Sequence, residues 1–438
     1  MKETAGLTFD EWKYSDDYEA IMKEFTNYQY EVRFLRAYFY FELIKRYRNI
    51  PFVLDVLAQN EANGVNPESY EKIAKFIVDE CSDLAQILPV NYDNFSTKEK
   101  GRVTRAAAMA LKSRVTLYMA SPLFSEDSED KWKQAAEAAY DIIKQKTDLG
   151  LDLVPYPQIF NDVNNQKAEV ILYRPTGESG DFEKANFPIG VEGGKTSTCP
   201  TQNLMEAYDM KDGTPFVWNN QSNPYDNRDP RMKYTIVCNE MKWPVDPVEI
   251  WEGGTNGLPL QNATTTGYYL KKYVNNTISF EAGSTVTKKQ HNWVLFRYGE
   301  ILLNYAEAMI NAFHDPNYKD AVYNMSAREA VNQIRGRTNI SLPGFPSDIT
   351  EKDFVKRLKN ERRVELAFEG HRFWDVRRWK ELGQTANIYG VKITKNNEVI
   401  SYEKFLLETR AVTDNMYFYP IPNTERFKNP NLGQNPGW

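Results

Sequence analysis

The chain has 438 residues, of which 41% are hydrophobic and 26% are charged, with a formal net charge of −6 and a mean hydropathy of −0.62. This composition supplies a core for two or three average domains, or for one large helical domain with insertions. The negative charge argues against nucleic-acid binding, which needs a basic face, and no stretch approaches the roughly 18–20 apolar residues of a membrane span.

The first part of the chain, residues 1–148, has the pattern of paired helices. Residues 23–46 combine aromatic and aliphatic side chains with good helix formers, and the Asn-Pro pair at 66–67 is typical of a helix start. Residues 102–120 place small and apolar side chains on one stripe. Because many of these are alanines, a neighbouring helix can approach closely, and residues 132–144 supply that neighbour.

Residues 149–291 have a different character. Gly, Pro, Asn, Thr and Trp interrupt them repeatedly, and helical periodicity mostly disappears. We interpret this segment as a loop-rich insert with short strands, placed between two helical halves. Long loops on a rigid scaffold are where binding usually occurs, so the insert is the predicted ligand-binding region.

Helical periodicity returns in residues 292–385. Ser326 with Glu329 has the spacing of a capping box, which predicts the start of a helix. Residues 386–438 are expected to form an extended tail that packs on the scaffold. Together the four segments predict a mainly α fold, in which helical hairpins on both sides of the insert form a tetratricopeptide-like superhelix.

Residues 360–379, NERRVELAFEGHRFWDVRRW, place five arginines and four carboxylates among large apolar side chains. On a helix, Glu361, Glu365 and Glu369 fall on one face, and Gly370 is suited to the left-handed conformation that ends a helix. So many interleaved charges and aromatic rings predict a partly buried ion network that holds two helices in register.

The same carboxylates also allow an enzymatic interpretation. Two of them one helical turn apart have β-carbons about 5–6 Å apart, near the carboxylate spacing of a retaining glycosidase. A glycosidase needs one acid with a raised pKa, however, and the neighbouring guanidinium groups would keep both carboxylates ionised. We therefore favour the structural interpretation of this run, with a helical glycoside hydrolase as the enzymatic alternative.

Other catalytic and metal-binding patterns are weak. The three histidines are isolated, with no HExxH or GxSxG motif, and the three cysteines lack zinc or disulfide spacing. The Gly-Gly-Lys-Thr run at 193–196 lacks the earlier glycine of a phosphate-binding loop. The aspartates Asp226, Asp229 and Asp246 do not complete an EF-hand, which leaves a calcium site unsupported. We expect no enzymatic activity and no cofactor.

The aromatic residues of the insert are the remaining candidates for binding. A pyranose ring has an apolar face of C–H groups and a rim of hydroxyls, so it binds to an aromatic platform with a few polar partners. Turn formers flank three tryptophans of the insert and tend to place side chains at the surface. The predicted ligand-binding residues are Trp218, Trp243 and Trp251, with Asn220, Tyr225 and Asp226 as polar partners. The alternative is that these rings only pack the insert onto the helices.

Residues 361–379 also resemble the signature of the SusD/RagB family, the surface lipoproteins with which Bacteroidetes capture nutrients at the outer membrane. Further segments resemble other motifs of this family in the same order along nearly the whole chain. They are 33–53 (RFLRAYFYFELIKRYRNIPFV), 101–122 (GRVTRAAAMALKSRVTLYMASP), 200–215 (PTQNLMEAYDMKDGTP), 227–232 (NRDPRM), 297–308 (RYGEILLNYAEA) and 419–438 (YPIPNTERFKNPNLGQNPGW).

The resemblance implies a SusD-like fold and a capture function without catalysis. A protein of this kind binds an oligosaccharide, or less often a peptide in RagB-like members, and delivers it to a TonB-dependent SusC-like transporter. The helical surface of residues 33–144 and 295–382 would contact the transporter and leave the insert free for ligand. Asp229 and Arg231 of the NRDPR run would fix their loop.

The resemblance also implies a location on the extracellular face of the outer membrane. Family members begin with a lipoprotein signal and a lipid-bearing cysteine, whereas this chain begins MKETAGLTFDEW. We therefore expect the natural chain to begin earlier and membrane attachment to depend on a lipid anchor absent from this sequence. A third function class, a repeat scaffold that binds another protein, fits the large Trp-containing insert less well, because a scaffold needs only its concave helical face.

Overall fold

The computed structural model of the chain describes residues 13–58, 60–95, 99–126, 128–219, 223–280 and 287–438. Long helices lie on both sides of an insert that contains only short ones. The helices are α1 (Tyr18–Tyr47), α2 (Tyr70–Ile87), α3 (Arg105–Ala120), α4 (Glu129–Lys144), α5 (Asp181–Asn186), α6 (Gln202–Met205), α7 (Met232–Thr235), α8 (Tyr298–Phe313), α9 (Ala327–Arg335), α10 (Glu351–Glu365), α11 (Arg372–Arg378) and α12 (Asn423–Lys428).

The strands form antiparallel pairs and no larger sheet in the part of the chain that the structure describes. β1 (Ile50–Pro51) pairs with β2 (Pro67–Glu68), β3 (Val170–Pro175) with β6 (Asn292–Arg297), β4 (Ile236–Val237) with β5 (Tyr269–Leu270), and β7 (Asn387–Asn396) with β8 (Val399–Thr409). The mainly α class predicted from the sequence is confirmed.

The helices pack as consecutive hairpins around one core. α1 packs on α2, α2 on α3 and α3 on α4, while α8 packs on both α9 and α10. α4 also packs directly on α8, so the two helical halves form one continuous layer although the insert separates them in sequence. Small side chains on α3, among them Ala107 and Ala110, are fully buried and permit these close approaches.

Local sequence signals set several helix starts, and the capping box of Ser326 and Glu329 is present at the start of α9. Gly370 has the expected left-handed backbone, with φ of +80°, but it does not end α10: that helix ends at Glu365, and residues 366–370 form a turn. The Asn-Pro pair at 66–67 does not start α2, however. Ser69 caps that helix by accepting a hydrogen bond from the backbone N–H of Lys72, because Pro67 is already paired with β1.

The insert is closed at its base by the pairing of β3 with β6. Val170 lies opposite Arg297 and Pro175 opposite Asn292, so the first and last parts of the insert leave the helical layer side by side. The residues between them fold over a second hydrophobic core, to which Val364 of α10 and Val391 and Tyr402 of the C-terminal segment also contribute. The loop-rich segment predicted from the sequence therefore leaves the helical layer and returns to it at the same place.

The C-terminal segment, expected to be an extended tail, begins instead with the β7–β8 hairpin. This hairpin packs on the insert: the Val391 N–H donates to the Thr266 carbonyl (3.0 Å), and the Glu252 N–H donates to the Ile393 carbonyl (2.9 Å). The remainder contacts the helical scaffold, where the side-chain amide of Asn435 donates to the Tyr47 carbonyl (3.2 Å). No described helix is long and apolar enough to cross a membrane.

Candidate ligand-binding clefts and the buried ion network

Glu365 lies at the centre of a buried network of charges. Its carboxylate accepts hydrogen bonds from Arg231 (2.8 Å), Arg297 (2.8 Å) and Arg337 (2.9 Å), and all four side chains are excluded from solvent. Arg231 also binds Asp229 of the same insert loop (2.7 Å). Because Arg297 ends β6 and Arg337 follows α9, one carboxylate of α10 connects the insert to the helical layer.

The other two carboxylates of this run extend the network in both directions. Glu361 accepts from Arg335 (2.7 Å), and Glu369, which lies in the turn after α10, accepts from Lys272 of the insert (2.8 Å). Each also binds an arginine that contacts Glu365. The sequence predicted the network correctly, but the partners of these carboxylates are distant in sequence.

Two arginines of the run itself, Arg362 and Arg378, form ion pairs with carboxylates other than Glu361, Glu365 and Glu369. Arg362 of α10 pairs with Asp375 of α11 (2.9 Å), and Arg378 of α11 pairs with the same carboxylate (2.9 Å). Arg378 also donates to Glu307 of α8 (2.7 Å). These contacts hold α10 and α11 in register against α8, as expected for a structural signature.

The pKa values of three buried glutamates of this network are lowered, which favours their ionised form. Burial opposes ionisation of Glu365, but the guanidinium groups of Arg337, Arg297 and Arg231 outweigh it and hold the carboxyl pKa well below its usual value. Arginine neighbours likewise outweigh burial and lower the pKa of Glu361 and of Glu369. A glycosidase acid requires a raised pKa, so this cluster has the electrostatics of a structural network.

A cleft of about 350 Å³ opens on the insert, and we call it the aromatic cleft. Its walls carry the rings of Phe160, Tyr234, Trp243 and Tyr273. Phe160 and Tyr273 meet edge to face with centroids 5.0 Å apart, and both belong to a small hydrophobic core beneath the cleft. Tyr234 is half-buried and presents more of its ring to solvent than the other three.

Polar side chains line the same cleft. Asn161, Asp162, Asn275, Asn276 and Lys289 contribute amide, carboxylate and ammonium groups. The ammonium of Lys289 lies 3.5 Å from the Asp162 carboxylate, which orients both groups. The cleft therefore combines apolar rings with hydrogen-bonding groups of both polarities, the combination that an amphipathic ring with hydroxyl substituents requires.

Lys272 connects the aromatic cleft to the ion network. Its ammonium lies 3.9 Å from the centroid of the Phe160 ring and 2.8 Å from Glu369. Burial, opposed in part by the Glu369 charge, lowers the pKa of Lys272 to about 8. The floor of the cleft is thus fixed to the turn after α10 by a buried ion pair, and the cleft geometry depends on the signature run.

Among the predicted ligand-binding residues, Trp243 lines the aromatic cleft. Only 7% of its surface is exposed, and Lys271 places its ammonium 4.9 Å from the centroid of the indole ring. The expectation that the flanking turn formers place this ring at the surface is wrong. The ring is buried because it packs with Val248, Ile250 and the remainder of the insert core.

Trp218 and Trp251 are half-buried and have different surroundings. Trp218 packs edge to face on Phe216, with centroids 6.4 Å apart. Trp251 lies beneath the ammonium of Lys395 on β7, which is 4.6 Å from the indole centroid. Both rings also pack against the insert core, and their role in ligand stacking stays a prediction.

The predicted polar partners differ in their surroundings. Tyr225 packs within the insert core against Tyr268 and Tyr402, with centroids 6.2 and 5.3 Å from its own. Asp226 is exposed. Asn220 lies outside the described residues. Their role in binding stays a prediction.

A second, larger cleft of about 510 Å³ lies between the outer surface of α10 and insert residues 206–216, and we call it the arginine cleft. Arg363, Arg372, Lys352 and Lys356 line it together with the ring of Phe216. Neither this cleft nor any other part of the chain that the structure describes has a group of three or more His, Cys, Asp or Glu that could hold a metal ion.

Comparison with known proteins identifies the family to which this fold belongs. The model of the SusD family matches residues 159–438, which is more than half of the chain. The chain belongs to the SusD family. The matched region contains most of the insert, the signature run, the arginine cleft and all but Pro157 of the aromatic cleft, so the resemblance predicted from the sequence motifs is confirmed.

Solved structures of other SusD-family proteins share the fold. A SusD-like protein from Bacteroides fragilis is 26% identical, with a TM-score of 0.77, and the alignment covers 95% of this chain and 80% of that one. A SusD-like carbohydrate binding protein from the same species is 27% identical, with a TM-score of 0.76, covering 92% and 79%. Surface glycan-binding protein A from Bacteroides uniformis, 18% identical with a TM-score of 0.65 and coverage of 97% and 80%, shows the fold alone.

A curated relative matches over a shorter stretch. SusD-like protein P2 from Formosa agariphila is 29% identical over 163 residues, which are 36% of this chain and 28% of that relative's length. This SusD-family protein thus belongs to a family with carbohydrate-binding members.

Sequence reasoning missed most of the aromatic cleft. Tyr234, Tyr273, Asn275 and Asn276 line it, and none was singled out. A usable signal exists in the run at 271–277, KKYVNNT, where an aromatic residue stands beside two amides in a turn-forming context. That signal identifies polar and aromatic groups close together, but it does not indicate that Phe160 faces them.

Proposed function

We propose that this SusD-family protein captures an oligosaccharide in the aromatic cleft and delivers it to a TonB-dependent SusC-like transporter at the outer-membrane surface, without cleaving it. The observation that carries the proposal is the presence of four aromatic rings and several amide and carboxylate groups in one cleft of about 350 Å³. This volume lies in the range of small-molecule sites, roughly 300–1,000 Å³.

The chemistry of the cleft fits a sugar ring. The accessible face of Tyr234 can cover the C–H face of a pyranose, while Asn161, Asn275 and Asn276 can donate to and accept from its hydroxyls. The edges of Trp243 and of the other rings limit the width of the cleft. Amides with both donors and acceptors suit hydroxyl groups, which have the same dual character.

The identity of one relative supports a carbohydrate ligand. The 27% identical protein from Bacteroides fragilis is named a SusD-like carbohydrate binding protein, and it shares the fold over 92% of this chain. Delivery also fits a protein without catalytic groups, because capture and release require only differential affinity between two states. We also propose attachment to the outer-membrane surface through a lipid anchor, as the family resemblance implies.

The direct test is calorimetry with a panel of neutral and acidic oligosaccharides and a peptide control. We expect one oligosaccharide class to bind the parent, and Tyr234→Ala and Trp243→Ala to weaken that binding by about 30-fold, equivalent to about 2 kcal/mol for a central contact ring. Trp438→Ala, which removes a tryptophan that is 47% exposed outside the cleft, is the matched control and should bind as the parent does.

The same panel tests the other predicted rings. If Trp218→Ala or Trp251→Ala weakens binding while folded Tyr234→Ala and Trp243→Ala variants bind normally, the site lies at those tryptophans and not in the aromatic cleft. If none of the four variants differs from the parent, the site lies elsewhere, and the segment at 54–66 between α1 and α2 is the next candidate. Binding of the peptide control alone would favour a RagB-like function.

The non-catalytic part of the proposal has its own measurement. We expect incubation with diverse polysaccharides to release no reducing ends at enzyme-like turnover. Sustained release that disappears in Glu365→Gln or Glu369→Gln would replace the capture function with a helical glycoside hydrolase.

A further inference from the structure

The arginine cleft carries positive charge that its own carboxylates do not neutralise. Three carboxylates line it, and each of them already forms an ion pair with another cation. The pairs are Glu206 with Lys404 (2.7 Å), Asp209 with Arg335 (3.3 Å) and Glu381 with Lys359.

Four cations that line the same cleft have no carboxylate within ion-pair distance among the described residues. They are Lys352, Lys356, Arg363 and Arg372. Of these, Arg372 donates one hydrogen bond, to the side-chain carbonyl of Gln384 (2.8 Å). The cleft therefore has a surplus of positive charge on a chain whose net charge is −6, so the surplus is local and does not reflect the average surface.

Arg363 and Arg372 are the most unusual of these cations because both are largely withdrawn from solvent. Burial and the nearby charge of Arg372 lower the pKa of Arg363 to about 10, and burial lowers the pKa of Arg372 although the charges of Asp375 and Glu381 oppose it. Two half-buried guanidinium groups without a carboxylate in direct contact repel each other and lose hydration. A bound anion reduces both costs.

The geometry of the cleft restricts what that anion is. A guanidinium group presents N–H donors in a planar fork that matches the paired oxygens of a carboxylate or sulfate. Phe216 supplies an apolar wall, and the Arg228 guanidinium, 3.7 Å from its centroid, fixes the ring from one side. A cleft of about 510 Å³ accommodates a small ligand that carries both an anionic group and an apolar ring face.

We propose that the arginine cleft is a second saccharide site, selective for acidic sugars, in which Arg363 and Arg372 bind the carboxylate of a uronic acid or a sulfate ester. The ring of that sugar lies against Phe216. This inference rests on the proposed glycan-capture function and extends it by naming the ligand class. It concerns a cleft separate from the aromatic cleft, so the two can be tested apart.

The experiment compares charged and neutral ligands on matched variants. The ligands are oligogalacturonate, a sulfated galactan oligosaccharide and the same galactan after desulfation. We expect the parent to bind at least one acidic ligand, and Arg363→Gln/Arg372→Gln to weaken that binding tenfold or more. Binding of oligogalacturonate would identify a carboxylate as the bound group, and binding of the galactan only before desulfation would identify a sulfate ester.

The control variant removes the same charge elsewhere. Lys392→Gln/Arg410→Gln deletes two exposed cations of the β7–β8 hairpin and should bind acidic ligands as the parent does. Because Arg363 and Arg372 have no carboxylate partner in the described structure, we expect their double variant to melt at or above the parent temperature. The single Arg363→Gln variant, with an intermediate loss of binding, serves as a second check that does not require both changes.

Three results would overturn the inference. The first is that the parent binds neither acidic ligand, and the second is that the cleft variant and the hairpin variant bind them equally. The third is that the cleft variant binds acidic sugars normally but loses association with the transporter, which would assign these cations to a protein interface. In each case, neutral glycan binding that depends on Tyr234 would leave the proposed capture function standing.

Discussion

Glu365 shows how one side chain sets the relative position of three parts of the molecule. It receives hydrogen bonds from arginines of the insert, of β6 and of the segment after α9. A buried carboxylate with three charged donors is stable only while all partners are present, because the loss of one partner leaves uncompensated charge in a medium of low polarity. Its effect on the protein is therefore structural.

We predict that Glu365→Gln lowers the free energy of unfolding by about 3–5 kcal/mol, the range for breaking a buried ion pair, and Glu369→Gln lowers it in the same direction. Urea denaturation followed by circular dichroism measures the loss. Glu398→Gln is the matched control, because its side chain is 89% exposed in its pair with Lys395 and should change stability little.

Ligand binding per folded molecule should survive Glu365→Gln at low temperature. Unchanged stability together with the loss of a hydrolytic activity would contradict the structural role. The sequence indicated that this glutamate belongs to an ion network, but it could not identify the partners. Arg231 is 134 residues away and Arg297 is 68 residues away, and no local periodicity relates such positions.

At the scale of helices and strands, local signals explain what was predictable. Ser326 and Glu329 form a capping box whose partners are within one helical turn, and Gly370 adopts a conformation that few other residues favour. The start of α2 was predicted wrongly, because Pro67 was read as helical although long-range pairing with Pro51 places it in a strand. Predictions failed where a distant segment decided the conformation.

The β7–β8 hairpin was missed although its turn carries a local signal. Asn397 and Glu398 both have positive φ, 46° and 69°, as in the two-residue turns that join twisted strands. Within the preceding strand, residues 391–394 alternate apolar and polar side chains, the pattern of a half-buried strand. Asparagine in such a turn, between alternating runs, is the evidence that would have predicted the hairpin.

Helix α1 has a second apolar face that the helical core does not cover. Val32, Leu35, Phe39 and Leu43 are 41% to 58% exposed and fall within about 80° of arc on the helix. A contiguous exposed apolar stripe marks an interaction site on a protein surface. We assign it to the proposed contact between the helical halves and the SusC-like transporter.

We predict that Leu35→Glu/Phe39→Glu abolishes pull-down of the cognate transporter, because two charges would be buried in an apolar interface. Alanine variants at Trp218, Trp243 and Trp251 should retain the complex. The double glutamate variant should keep the parent melting temperature, since both positions are exposed in the isolated protein. Loss of the complex in the tryptophan variants instead would show that the insert contacts the transporter.

At the scale of the whole molecule, both clefts are assembled from segments that are far apart in sequence. The aromatic cleft takes residues from 157–162, 234–243, 271–277 and 289–291. Fold class was predictable because helix periodicity is local and the family motifs are ordered. The residues that line each cleft could not be predicted, because they depend on how the insert folds back on its base at β3 and β6. Trp243 was chosen as a candidate from its surroundings in sequence and its role in binding stays a prediction, whereas the places of Tyr234 and Phe160 in the cleft needed the three-dimensional arrangement.

The buried carboxylates also determine how the whole molecule responds to acid. Burial opposes ionisation of Glu307, but the Arg378 guanidinium outweighs it and lowers the carboxyl pKa from 4.5 to about 2. A carboxyl whose pKa is lower in the folded state contributes stability that is present above the unfolded pKa and is lost as the pH falls through the folded pKa. The relevant window therefore extends from pH 4.5 down to about 2.

We predict that the free energy of unfolding falls by on the order of 3 kcal/mol across that window from Glu307 alone, with the glutamates bound to arginines around Glu365 adding to the fall. Glu307→Gln should be less stable than the parent at pH 7, because Arg378 and the Trp379 indole N–H lose a charged acceptor. The variant should also lose less stability than the parent between pH 4.5 and 2, since an amide gains no proton there. Urea midpoints at pH 7, 4.5 and 3 measure both effects, with Glu398→Gln expected to follow the parent, and equal slopes for Glu307→Gln and the parent would contradict the assigned pKa change.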